Sequence, residues 1–95
     1  PGDLTGHEVL VTALADHPRI LLAAARHRAP DRLARHLVDV ADAFLGDARL
    51  HAGVLPRGEE KPSAAHRARL ALAEATGTVL AGGLTLLGID APAFL

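Results

Sequence analysis

The chain has no cysteine, methionine, tryptophan or tyrosine, and its only aromatic residues are Phe44 and Phe94. Without cysteine there can be no disulfide framework, thiolate metal site or thiol nucleophile. With so few rings, a core must be filled by leucine, alanine and valine. Those residues suit helices that approach one another closely. Methionine is missing even at position 1, which is what a fragment or processed product of a longer chain would show.

Charge of one sign is also lacking: the formal net charge is -1. Autonomous nucleic-acid-binding domains usually carry a basic excess, so strong, self-sufficient RNA or DNA binding is disfavoured. A weaker contact surface, with its partner held mainly by another domain, remains compatible with this balance. Charges interrupt every apolar run before the roughly 20 residues needed to span a bilayer. No basic segment leads into an apolar core and cleavage site, so a secretory signal is not expected and a cytoplasmic setting is.

At 95 residues, nearly half of them apolar, the chain suits one domain with one core. Residues 1–6 (PGDLTG) read as a linker or frayed start, with Thr5 and Glu8 spaced as a capping box. Leu10, Ala13 and Leu14 mark a first helix. Pro18 bounds a second, with Asp16 as its cap and His17 biased out of the helical region. Ile20, Leu21, Ala24 and Ala25 form that helix's apolar side, and Arg26, His27 and Arg28 close it where positive charge is favourable. Pro30 stops it.

A third helix is expected from Asp31 to about Leu50, with Leu33, Leu37, Val40, Ala41 and Phe44 in one stripe. Arg35 and Asp39 are spaced for a surface ion pair, and Gly46 weakens the last turns. Residues 51–62 read as a loop whose Val54 and Leu55 tuck back onto the bundle. Ser63 would cap the last helix, whose two apolar faces suit a central position. One face holds Leu70, Ala73, Gly77, Leu80, Leu84 and Leu87, the other Leu72, Ala75, Val79 and Leu86. Gly82–Gly83 implies a kink or a close helix crossing, and Gly88 a left-handed terminus with Ile89 folding back and Pro92 beyond. The fold expected is all-α, a bundle of four helices, or five if the last is split.

The titratable residues form no catalytic pattern. His7, His17, His27, His36, His51 and His66 are scattered, without HExxH or a close pair, so no metal site is expected. Ser63 is better explained as a cap than as a nucleophile. Gly82–Gly83 lies in an apolar helix rather than in the strand-to-helix turn a phosphate cradle needs. What remains is surface: Arg28, Arg32, Arg35, His36, Arg49, Arg57, Lys61, Arg67 and Arg69, interleaved with acidic residues. A solvated helical face accounts for such a mixture. Arg67 stands out because a cation in a helix's first turn opposes the local dipole.

Arg67 to Thr76 (RARLALAEAT), Val79 to Leu84 (VLAGGL) and Leu87 to Pro92 (LGIDAP) together resemble the end of the C-terminal anticodon-binding domain of class I arginyl-tRNA synthetases, the DALR-type module. Pro30 to Phe44 (PDRLARHLVDVADAF) is similar to that family's proline-initiated helix, and Glu8, Leu10, Leu14 and Pro18 to its opening. The resemblance spans residues 7–95 and implies an all-α anticodon-binding bundle. It also implies tRNA as partner, DNA and membranes being outside its role, and a catalytic domain preceding it in the same chain. ATP-dependent arginine–tRNA ligation would be carried out there, so this domain would hold no cofactor and no catalytic residue.

The resemblance thins where the family meets RNA. His36 stands where the family has tyrosine, and Asp47 to Pro56 (DARLHAGVLP) lacks its Phe-Tyr pair and Cys-Arg. Ala91 to Leu95 (APAFL) lacks its charged pair and final methionine. Unstacked anticodon bases are held by aromatic, arginine and backbone groups. The residues expected to take that part here are Arg32, Arg35, His36, Arg49, Arg67 and Phe94. Two other readings stay open: a synthetase-like paralogue with weakened anticodon recognition and a repurposed tRNA- or protein-binding role, and an unrelated helical scaffold.

Overall fold

A computed structural model describes residue 4 and residues 6–52 and 64–89. These form five helices: α1 (Glu8–Ala15), α2 (His17–Arg26), α3 (Pro30–Leu45), α4 (Ala48–Ala52) and α5 (Ala64–Leu86). The fold is an all-α bundle, as the periodicity predicts. Thr5, residues 53–63 with Val54, Leu55 and Ser63, and residues 90–95 with Pro92 and Phe94 lie outside the described residues, so the expectations placed on them do too.

The central position belongs to α3 rather than to the last helix, because α3 packs against each of the other four. Its stripe is sharply one-sided, with Leu33, His36, Leu37 and Val40 buried. Two apolar clusters flank it. In one, Leu10 of α1, Leu50 of α4 and Leu72 of α5 pack with Phe44 at the edge. In the other, Ala24 of α2 and Leu33 and Leu37 of α3 meet Val79, Leu80 and Leu84 of α5. α5 thus serves both clusters, and runs unbroken through Gly82–Gly83. Gly83 is the close crossing: a Cβ there would stand 2.5 Å from Leu37 Cδ2.

The third helix ends five residues before its expected terminus. It stops at Leu45, with Gly46 at the C-cap, and α4 begins at Ala48. Asp47 drives the break, because its Oδ1 accepts the Leu50 N–H at 2.9 Å and so caps a new helix. The Phe44 carbonyl accepts from the Asp47 N–H at 3.2 Å and from His51 Nε2 at 2.8 Å. The His51 ring stands edge-on to Phe44 with centroids 4.7 Å apart. Leu50, fully buried, is thereby delivered to the first cluster from a different direction than a continuous helix would allow.

Three smaller expectations are corrected. His17 is the first residue of α2, not an extended residue before it, and Pro18 sits comfortably in the first turn. Asp16 holds the cap position but makes no cap hydrogen bond. Its carboxylate instead lies 3.6 Å from Arg19, in an exposed pair of little energetic weight. No pair forms between Arg35 and Asp39; Arg19 instead approaches Asp16, and Asp47 is met by His7.

Two helices end in the same way. At the end of α5, Ile89 N–H bonds the Leu84 carbonyl at 2.8 Å and Gly88 N–H the Thr85 carbonyl at 3.0 Å, with Gly88 at φ 81°. That is the Schellman motif the sequence predicts. At the end of α2, Ala29 N–H bonds the Ala24 carbonyl at 2.9 Å and Arg28 N–H the Ala25 carbonyl at 3.3 Å. The left-handed residue there is Arg28, at φ 49°, the sole non-glycine with positive φ among the described residues. An L side chain in that conformation costs about 1 kcal/mol that glycine does not incur.

Candidate nucleic-acid interface

The turn between α2 and α3 gathers arginines at one corner. Arg26 ends α2, Arg28 occupies the left-handed turn, and Pro30 starts α3 at the next bend. Arg32 and Arg35 then follow three residues apart, off the buried stripe. Arg26, His27, Arg28, Arg32 and Arg35 are all exposed. No described acidic side chain forms an ion pair with any of the four arginines. Residues 26–35 hold four of the chain's ten basic residues and one of its eleven acidic ones. The corner is therefore +3 and the remainder of the chain -4, so the net charge of -1 conceals a local basic excess.

His36, one residue from this corner's last arginine, does not join it. It is 4% exposed and faces α2. Its ring stacks on His17 with centroids 5.2 Å apart and planes 17° from parallel. His17 Nδ1 and His36 Nε2 lie 3.1 Å apart, one donating to the other according to tautomer. Burial, and next the neighbouring His17, push the His36 pKa below its ordinary value, with Asp39 and Asp16 opposing weakly. A neutral imidazole with a partner for its ring nitrogen is at home in a core. The residue expected at the RNA surface therefore joins α2 to α3.

Arg49 is exposed on α4 but folded over the start of α1. Gly6, at φ 89°, lies beneath its guanidinium so closely that any Cβ at position 6 would collide with Nη1. Beside it, His7 Nδ1 and Asp47 Oδ2 are 2.6 Å apart, with side chains 3% and 7% exposed. Burial would raise the Asp47 pKa, but hydrogen bonds from His7 and from the Leu50 N–H outweigh it and hold the carboxyl below its usual range. Glu8, fully exposed, accepts the Gly6 N–H at 3.0 Å, and that bond and its own backbone N–H hold its carboxyl low as well. This end of the molecule is a closed polar knot that ties α1 to α4. Arg67 is exposed in the opening turn of α5, and Phe94 lies outside the described residues.

Between α3 and α5 runs an open apolar groove, lined by Leu37, Val38, Ala41 and Phe44 on one side and by Leu80 and Leu84 on the other. The face of α5 expected to be covered is half-open here. Among the described residues, no group of three or more His, Asp or Glu side chains could hold a metal ion. No described helix is long and apolar enough to cross a membrane.

Sequence reading missed the His7–Asp47 tie and the His17–His36 stack, whose partners lie 40 and 19 residues apart. The one local hint was Gly46–Asp47, a helix-stopping residue followed by a helix-capping one. No solved structure matches the chain. The family model for the DALR anticodon binding domain matches residues 6–95, the whole described bundle included. The five-helix chain belongs to the DALR anticodon-binding domain family.

Proposed function

We propose that this chain is the anticodon stem-loop binding domain of an arginine–tRNA ligase. In this reading it positions arginine-accepting tRNA for an ATP-dependent aminoacylation performed by a catalytic domain that precedes it in the same polypeptide. The observation that carries the reading is the family match over residues 6–95, which makes tRNA the kind of partner. Arginine as the amino acid is supported by the Arg67 to Pro92 segment, whose wording resembles arginyl-tRNA synthetases.

Arg32, Arg35 and Arg67 are the exposed cations assigned to RNA, with Phe94 as the one aromatic left for stacking on a base. Arg49 serves first to close the α1–α4 knot, and His36 to join α2 to α3. Stacking on an aromatic is worth about 1–3 kcal/mol per base, so a surface this poor in rings must rely more on phosphate contacts. Such a domain discriminates anticodons less steeply than one with a full aromatic set.

The test is binding of the chain to arginine-accepting tRNA and to the same tRNA with an altered anticodon, at two salt concentrations. Tighter binding to the natural anticodon supports the reading. Binding that ignores the anticodon moves the domain to a repurposed tRNA- or protein-binding role on the same fold.

A further inference from the structure

We infer that the α2–α3 corner, formed by Arg26, Arg28, Arg32 and Arg35, is a landing surface for an RNA phosphate backbone. Arg28 is held in a left-handed turn as part of it. The inference rests on the tRNA reading above and assigns the backbone-contacting face within it. Three independent observations meet here.

The first is charge. A ten-residue segment of +3 sits in a molecule whose remaining residues sum to -4, so it is a local source of the field that attracts a polyanion. The second is the lack of partners. The four arginines are exposed and unpaired among the described residues, whereas Arg19 leans on Asp16 and Arg49 lies over Gly6. The third is backbone conformation. Arg28 at φ 49° occupies the position of a helix-terminating motif where glycine is the default, and where α5 has Gly88. A residue kept against its backbone preference points to a use for its side chain.

The chemistry selects phosphate. Guanidinium groups offer paired donors that match phosphate oxygens, and arginine is hydrated weakly enough to give up water to them. Its only exposed ring is the His27 imidazole, beside four guanidinium groups, so the corner is equipped chiefly to hold a backbone rather than to read bases. It therefore contributes grip and register, and anticodon choice is made elsewhere on the domain.

The experiment measures affinity of the chain for arginine-accepting tRNA against salt concentration, together with urea unfolding, for the wild type and four variants. Arg28→Gly separates the roles because its two effects have opposite sign. The urea midpoint should rise, since glycine fits the turn. The slope of log affinity against log salt should shrink by about 0.7–0.9, the loss of one phosphate contact. Arg28→Lys should restore the slope without the gain in stability. Arg32→Gln should shrink the slope without raising the midpoint, and Arg19→Gln, outside the corner, should leave it unchanged. The losses should be equal for natural and altered anticodons, because the backbone is common to both.

Wild-type binding with unchanged slopes in Arg28→Gly and Arg32→Gln would overturn the inference and leave the tRNA reading intact. A loss confined to the natural anticodon would replace backbone contact with base readout. No tRNA binding by the wild type at any salt would overturn the tRNA reading itself, and this inference with it.

Discussion

The two ends of the bundle use their charged residues in opposite ways. At the α1–α4 end, His7, Asp47 and the Leu50 N–H form a buried chain of bonds, and Arg49 folds over a glycine that leaves room for it. At the α2–α3 end, four arginines stand in solvent without ion pairs to any described residue, and one of them occupies a backbone conformation suited to glycine. One end spends its polar groups on holding the fold, and the other leaves them for something outside it. Residues of the same type therefore differ in role through what surrounds them, which a list of arginines cannot convey.

The largest break in that contrast is expected from Asp47→Ala. It removes the α4 cap and leaves the buried His7 Nδ1 without its partner, which together should cost about 2–4 kcal/mol. Urea unfolding would show this as a lowered midpoint. The corner arginines lie at the other end, so the salt dependence of RNA binding by the folded fraction should not change.

Gly6→Ala comes next, because a methyl group there is strained by φ 89° and collides with Arg49. A loss of about 1–2 kcal/mol is expected. Adding Arg49→Ala should recover the collision but not the backbone strain, a non-additivity a double-mutant cycle would resolve.

The two helix ends with the same motif offer a smaller and cleaner exchange. Gly88→Ala should destabilise by about 1 kcal/mol, all of it conformational because nothing lies within 4 Å of the added Cβ. Arg28→Gly should stabilise by a similar or slightly smaller amount, since glycine also gains freedom in the unfolded chain. Thermal unfolding of both variants checks that the signs are opposite.

The finest distinction is in acid. The pKa of His36 is lowered in the fold from about 6.5, so the unfolded chain takes up a proton before the native one does. Its contribution to stability is full above pH 6.5 and is lost as pH falls toward its native value. Asp47 is also lowered, from about 3.8, so its contribution survives until pH falls below that range. Unfolding measured from pH 7 to pH 3 should therefore fall in two stages. His36→Gln should flatten the first stage, and Asp47→Asn the second.

Much of this fold is legible in the sequence. The apolar periodicity places α1, α2, α3 and α5, and Pro18, Pro30 and Gly88 mark boundaries for local steric reasons. The Gly82–Gly83 pair hints at a close crossing, but only the structure shows that Gly83 makes it, against Leu37, while Gly77 and Gly82 have nothing within 4 Å of an added Cβ. The break after Leu45 is different: Leu45 and Leu50 continue a helical pattern, and Asp47 becomes a cap because His7, 40 residues earlier, holds its other oxygen.

The site is less legible than the fold. The resemblance puts His36 at the RNA surface as an expectation, yet its ring nitrogen finds His17, which lets it be buried. Arg28 carries no local sign of a left-handed turn, because arginine has no preference for one. Both facts depend on contacts between helices, and only the folded chain displays them.

The measurement that tests the contrast most directly is a map of backbone amide shifts in the chain as the anticodon stem-loop of arginine-accepting tRNA is added. The account predicts that the largest changes fall on residues 26–35. His7, Asp47 and Leu50, inside the closed knot, should move little. Strong shifts at the α1–α4 knot, with a silent α2–α3 corner, would contradict it.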